Sequence, residues 1–266
     1  MEFLGYIGAI CIGIVLGLTG GGGSIITVPL LIYILGINPV IASAYSLFIV
    51  GSTSTFGSFI NYTKKLVNIK LGLTYAIPSF TAVYLTRKYV VPNLPEVIFK
   101  IGDVIITKDL FLILFFALIM FLASMSMIKV KKNSSDTPRK KSSFWLLIPV
   151  NFVIGCATGL VGAGGGFLIT PALVYFTQIS MRNAVATSLF IISMNSIIGF
   201  LGDVQNIDVD WIFLLKFTLL SIIGINIGIY LNKFLKDGQL KRIFGYFVLI
   251  LSIIIFVKEI IHLLNN

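Results

Sequence analysis

Gly17-Leu-Thr-Gly-Gly-Gly-Gly-Ser24 and Gly159-Leu-Val-Gly-Ala-Gly-Gly-Gly166 are the two stretches that decide the fold. They stand 142 residues apart, and the likeness continues beyond them without a gap. At the same offset Pro29 falls on Pro171, Leu31 on Leu173 and Tyr33 on Tyr175. Further along, Ala42, Ala44, Ser46, Leu47, Phe48 and Ile49 fall on Ala184, Ala186, Ser188, Leu189, Phe190 and Ile191. From Gly17 to Gly57 the two copies share 17 of 41 positions. Apolar composition alone produces scattered matches. It does not produce a shared glycine run, a shared proline and a shared Ser-Leu-Phe-Ile in one register. The chain is an internal duplication, and a duplication constrains architecture before any local reading does.

The surroundings of these stretches are apolar. Hydrophobic residues make up 57% of the 266 residues and charged residues 11%, and the mean hydropathy is +1.02. A soluble domain needs a largely polar surface, and this composition cannot supply one. Uncharged blocks such as Phe111 to Met127 read as membrane spans, so the lipid bilayer is the chain's environment. The net charge of +10 would suggest nucleic acid as a partner in a soluble protein. Here the basic residues lie in short loops beside apolar blocks and act as topology signals, so no nucleic-acid partner is expected. Cys11 and Cys156 both fall in apolar blocks and are not expected to pair. Met1-Glu2-Phe3 lacks the basic start of a signal peptide, so the first segment is expected to stay in the protein.

Each copy resolves into five apolar segments. In the first they are Phe3–Leu18, Ile25–Leu35, Val40–Tyr62, Ile69–Val91 and Leu110–Ile128. In the second they are Phe144–Leu160, Phe167–Phe176, Asn183–Leu201, Trp211–Phe234 and Leu240–Leu263. The second segment of each copy is about 16 Å long as a helix, half of the ~30 Å hydrocarbon core. It predicts a half-helix or a re-entrant piece. Lys64, Lys65 and Lys70, the linker lysines with Arg139, and Lys233, Lys236, Lys241 and Arg242 mark three cytoplasmic loops. The partner of the Lys64–Lys70 loop, Asn206-Ile-Asp-Val-Asp210, has no basic residue. The copies are thus expected in opposite orientations, as in secondary transporters built on inverted repeats. The fold class expected is an all-α polytopic membrane protein of two inverted-topology repeats, each with a glycine-rich break and a half-helix. Residues 1–130 form the first repeat, 131–143 a basic cytoplasmic linker and 144–266 the second repeat. Both termini then lie outside the cell inner (plasma) membrane.

The glycine runs also carry the chemistry. Gly20, Gly21, Gly22, Gly23 and Ser24 precede one half-helix, and Gly162, Gly164, Gly165 and Gly166 precede the other. Glycine lets backbone approach closely, and amide groups at membrane depth must find a partner because lipid offers none. A half-helix adds its own free N-terminal amides and its positive dipole end at the same spot. Two such ends meeting near the midplane would make a site for a small anionic substrate. Gly13, Gly17, Gly155 and Gly159 instead have the small-xxx-small spacing that serves helix packing. Hydroxyls and amides cluster on the segments after the half-helices: Ser46, Ser52, Thr53, Ser54 and Asn61, then Thr187, Ser188, Ser193, Asn195, Ser196 and Asp203. They either donate to an oxyanion or bond back to their own helix. Ser46 and Ser188 rank first because they are aligned.

No carboxylate is expected deep in a segment: Asp203, Asp208 and Asp210 are placed at or beyond a helix end. Arg87 and Lys88 end the fourth segment, where they attract an anion or anchor the helix end. No HExxH, CxxC, GxSxG or P-loop lysine occurs, so neither an enzyme nor a cofactor is indicated. The sequence leaves room for a homo-oligomer.

With these motifs in place, the chain resembles the sulfite exporter TauE/SafE family. The resemblance rests on the two glycine stretches through Pro29 and Pro171, and on Ala42-Ser-Ala-Tyr-Ser-Leu-Phe48 and Ala184-Val-Ala-Thr-Ser-Leu-Phe190. It covers nearly the whole chain. It implies export of sulfur-containing anions such as sulfite, sulfonates or sulfoacetate, without choosing among them.

Overall fold

The computed structural model describes residues 2–101, 104–129, 144–162, 164–177, 179–234 and 237–264. The basic linker at 131–143 and Ala163 lie outside the described residues. The first copy runs α1 (Glu2–Thr19), α2 (Gly23–Tyr33), α3 (Pro39–Thr63) and α4 (Ile69–Leu85). A π-helical turn (Thr86–Val90) and a short α5 (Val91–Asn93) come next. A hairpin of β1 (Val97–Ile101) and β2 (Val104–Thr107) then leads into α6 (Lys108–Lys129). The second copy runs α7 (Phe144–Val161), α8 (Gly166–Thr177), α9 (Met181–Asp203), α10 (Trp211–Leu231) and α11 (Asp237–Leu264). The chain is an all-α polytopic membrane protein, with four described helices long and apolar enough to cross a bilayer: α3, α6, α9 and α10.

Helix starts obey local chemistry. The side chains of Asn38, Asn68, Ser180 and Asp210 accept hydrogen bonds from the amides of Val40, Leu71, Asn183 and Phe213, which caps α3, α4, α9 and α10. The two half-helices come out at 11 residues for α2 and 12 for α8. The fourth apolar segment is not one continuous α-helix. After Leu85 the ladder loosens, the amide of Val91 reaches back to the carbonyl of Thr86, and Pro92 cannot donate to the ladder. The β1–β2 hairpin, antiparallel with Ile101 opposite Val104, has no counterpart among the described residues of the second copy.

The copies interlock. α1 lies along α10, and its equivalent α7 lies along α4; α3 crosses α9, α2 touches α8, and α6 pairs with α11. A two-fold exchange of the copies produces this pattern. Close approach comes from small residues. Gly13 and Gly17 sit on the α10 backbone at Ser221–Gly228, and Gly155 and Gly159 sit on α4 and the π turn at Ser79–Thr86. Large apolar side chains such as Ile212 and Leu219 remain 69% and 62% exposed, forming a surface suited to lipid.

Candidate functional site

The first helix break is built by Thr19. Its hydroxyl donates to the carbonyl of Val15 at 2.8 Å and accepts from the amide of Gly22 at 2.8 Å. The amide of Gly22, expected to be free for an anion, is therefore occupied from within the chain. Gly20 adopts a left-handed conformation at φ 73° and turns the chain back into α2. In the second copy Gly162, Gly164 and Gly165 are all left-handed.

The structure brings some of the expected residues together and sends others elsewhere. The backbone of Gly21 lies directly against that of Gly166, so the two breaks touch. Gly20 reaches the same crossing, with its carbonyl accepting from Ser188 Oγ at 2.6 Å and lying 3.3 Å from Thr170 Oγ1. Gly164 faces Ser196 on α9. Gly162 lies instead against Ser43 and the guanidinium of Arg87. Gly23 packs on Leu16 and Gly165 on Thr158, each within its own hairpin. The side chain of Ser24 is outside the described residues.

The buried hydroxyls of α3 and α9 divide into two kinds. Ser188 is fully engaged: beyond Gly20, its Oγ lies 2.9 Å from the carbonyl of Val185 and accepts from Thr170 Oγ1 at 2.9 Å. Ser46, Thr53, Ser54 and Ser196 are each 0% exposed and have no hydrogen-bond partner. Ser54 and Ser196 are also equivalent, 142 residues apart, a match that the Ser46–Ser188 pairing overshadowed. Tyr33 is tied elsewhere, donating from its hydroxyl to Glu259 on α11 at 2.8 Å.

A cavity of about 350 Å³ opens beside the crossing. Lys64, Arg182 and Lys233 give it a basic rim, and Gly17, Asn61, Val185 and Ile229 line it further in. Burial, and then the charge of Lys233, hold the Lys64 ammonium below the usual lysine range. Such a mouth concentrates anions.

On the other side of the crossing Arg87 and Asp203 lie at helix ends as expected, but both are buried, at 0% and 6% exposure. Arg87 Nη1 donates to Asp203 Oδ2 at 3.0 Å and to Ser43 Oγ at 2.9 Å. The π turn carries Arg87 inward against α9, whose last residue is Asp203. Two opposite charges on otherwise apolar segments of different copies were the available signal, because each is expensive in a membrane unless paired. Among the described residues no cluster of His, Cys, Asp or Glu could hold a metal ion.

The family profile described as sulfite exporter TauE/SafE matches residues 6–255. A probable membrane transporter protein of Xylella fastidiosa (strain 9a5c) is 28% identical over 248 residues, covering 91% of this chain and 90% of that protein. The probable membrane transporter protein YunE of Bacillus subtilis is 28% identical over 246 residues, covering 87% and 88%. A third, MJ0441 of Methanocaldococcus jannaschii, is 31% identical over 110 residues, 39% of this chain and 41% of that protein. No solved structure matches the chain.

Proposed function

Since this chain belongs to the sulfite exporter TauE/SafE family and is a multi-pass membrane transporter, we propose that it exports small sulfur-containing anions, of the sulfite or organosulfonate class, across the cell inner membrane. The anion crosses where the two glycine-rich breaks meet. The observation that carries this is the buried hydroxyl of Ser196, which has no partner and faces Gly164 in the second break, together with the buried hydroxyls of Ser46, Thr53 and Ser54 on α3, which have none either. A buried hydroxyl without a partner is unfavourable, and an oxyanion accepting from it removes the penalty. The basic cavity supports the same reading, because its charge draws anions towards the crossing. The copies are inverted in this account. The linker and the basic cavity face the cytoplasm and both termini face outward, in keeping with the basic loops.

A second reading, a carrier for some other small anion, has the same features in its favour: hydroxyls and a basic rim recognise charge and oxygen, not sulfur. One flux experiment separates the two. Purified protein in liposomes is loaded in turn with sulfite, thiosulfate, sulfate, sulfoacetate, taurine and chloride. Efflux of sulfite or sulfoacetate above that of protein-free liposomes is expected. Efflux of chloride or sulfate alone would replace the proposed substrate class with the second reading.

A further inference from the structure

The lining of the basic cavity has a twin in the other half of the fold. Shifting four of its lining residues by the repeat offset of 142 takes Gly17 to Gly159, Asn61 to Asp203, Val185 to Ser43 and Ile229 to Arg87. These four are together in the fold: Arg87 bonds Asp203 and Ser43, and Gly159 lies against Thr86. The twins differ where it matters, since Ile229 and Asn61 have become a cation and an anion.

We propose that Arg87 is an oxyanion-binding residue of this second cluster, and that Asp203 holds it in place while no anion is bound. The proposal rests on the reading of the protein as an anion carrier. Three features point to it. Arg87 is fully buried, yet its Nε and Nη2 have no hydrogen-bond partner. Those two nitrogens form one edge of the guanidinium, a two-donor fork matched to paired oxygens such as those of a sulfite, sulfonate or carboxylate. Nη2 also lies against Gly162, a left-handed residue without a side chain to intervene, in the same break that contacts Gly21. A pair serving only to clamp α4 to α9 would not need a fork. The charge alone would suffice, and the bare edge would be a pure penalty. Asp203 engages Nη1 and leaves that edge for the ligand. An anion taking the fork weakens the hold of Asp203 on Arg87, which loosens the cluster.

The test uses the full chain with Cys11→Ala and Cys156→Ala, and Thr86→Cys as reporter. Thr86 is 4% exposed and adjoins Arg87. Intact cells are labelled from outside with a membrane-impermeant maleimide, with and without each anion of the flux panel. The same variants are assayed for flux after size-exclusion chromatography confirms folding. Labelling is expected to be slow at rest and faster with sulfite or sulfoacetate, and Asp203→Asn should label fast without either. Arg87→Lys keeps the charge but lacks the fork. It should label slowly at rest, lose the anion response and raise the half-saturating anion concentration about tenfold or more. An Arg87→Lys variant with wild-type anion dependence, or labelling that no anion changes, would overturn the proposal. An anion response in labelling without flux would leave the Arg87 site standing and remove the transport reading. Flux with unchanged Arg87→Lys kinetics would do the reverse.

Discussion

Ser46 and Ser188 occupy equivalent positions in the two copies, yet only Ser188 has partners. Its hydroxyl lies 2.6 Å from the carbonyl of Gly20 and accepts from Thr170, whereas Ser46 has none. The residue equivalent to Thr170 is Val28, which offers no hydroxyl. The two serines should therefore respond differently to loss of the hydroxyl. Ser188→Ala should destabilise the fold by about 1–3 kcal/mol, because it removes the 2.6 Å donor to the Gly20 carbonyl. Ser46→Ala and Ser196→Ala remove groups that bond nothing and should leave the melting temperature unchanged or raised. If they contact the anion, they weaken its binding by about 1–3 kcal/mol. Thermal unfolding in detergent alongside flux measures both. A Ser46→Ala variant that melts early and transports normally would reverse the assignment.

The Gly21–Gly166 contact leaves no room for a side chain on either residue. Gly21→Ala and Gly166→Ala should each force the two breaks apart and abolish flux, at a cost of about 1–3 kcal/mol in stability. Gly164→Val adds strain to a left-handed residue and pushes on Ser196. Gly22 differs: it is right-handed at φ −71°, so a substitution there acts by bulk alone. Wild-type flux from Gly21→Ala would remove the crossing from the path.

Lys64, Arg182 and Lys233 rim the open cavity. Lys64→Gln combined with Lys233→Gln should raise KM for the anion on that side and leave the maximal rate intact. The difference should shrink with salt, as the screening length falls from about 10 Å at 0.1 M to about 3 Å at 1 M. A salt-independent defect in the maximal rate would instead put these lysines in the conformational step.

The two helix breaks, their half-helices and the four packing glycines were legible because each is a local departure from an apolar background. A glycine run after Gly17 or Gly159 can be seen without knowing what it touches. The Arg87–Asp203 pair was not legible. Its members are 116 residues apart, and a π turn carries Arg87 inward where a plain helix end would leave it at the rim. The asymmetry of Ser46 and Ser188 was present in the sequence, but only through the third position, Val28 against Thr170. The β1–β2 hairpin fell between apolar segments, where Pro92 and Pro95 end the helix but do not specify a strand pair.

Orientation is open to direct measurement. With the linker inside and both termini outside, a cysteine at Asn265 should label from outside intact cells and one at Ser134 should not. The opposite pattern would turn the basic cavity outward and the Arg87–Asp203 side inward.

An inside-negative potential drives anions outward, at about 2.3 kcal/mol per charge per 100 mV, so export of an anion needs no coupling ion. A chain without a deep carboxylate would favour electrogenic export without a proton, and burial of Asp203 removes that support. The expectation now rests on Arg87. Nη1 occupies Asp203 in the resting state, and a carboxylate tied to a guanidinium is a counterion before it is a proton carrier. Binding of the anion on the free edge of Arg87 would move the substrate's charge without moving a proton. Efflux from anion-loaded proteoliposomes should track a potential clamped with potassium and valinomycin, and should ignore an imposed pH gradient. Efflux that tracks the pH gradient in the wild type and loses that dependence in Asp203→Asn would make Asp203 the coupling carboxylate. The same dependence surviving in Asp203→Asn would assign the proton to the substrate, carried as bisulfite.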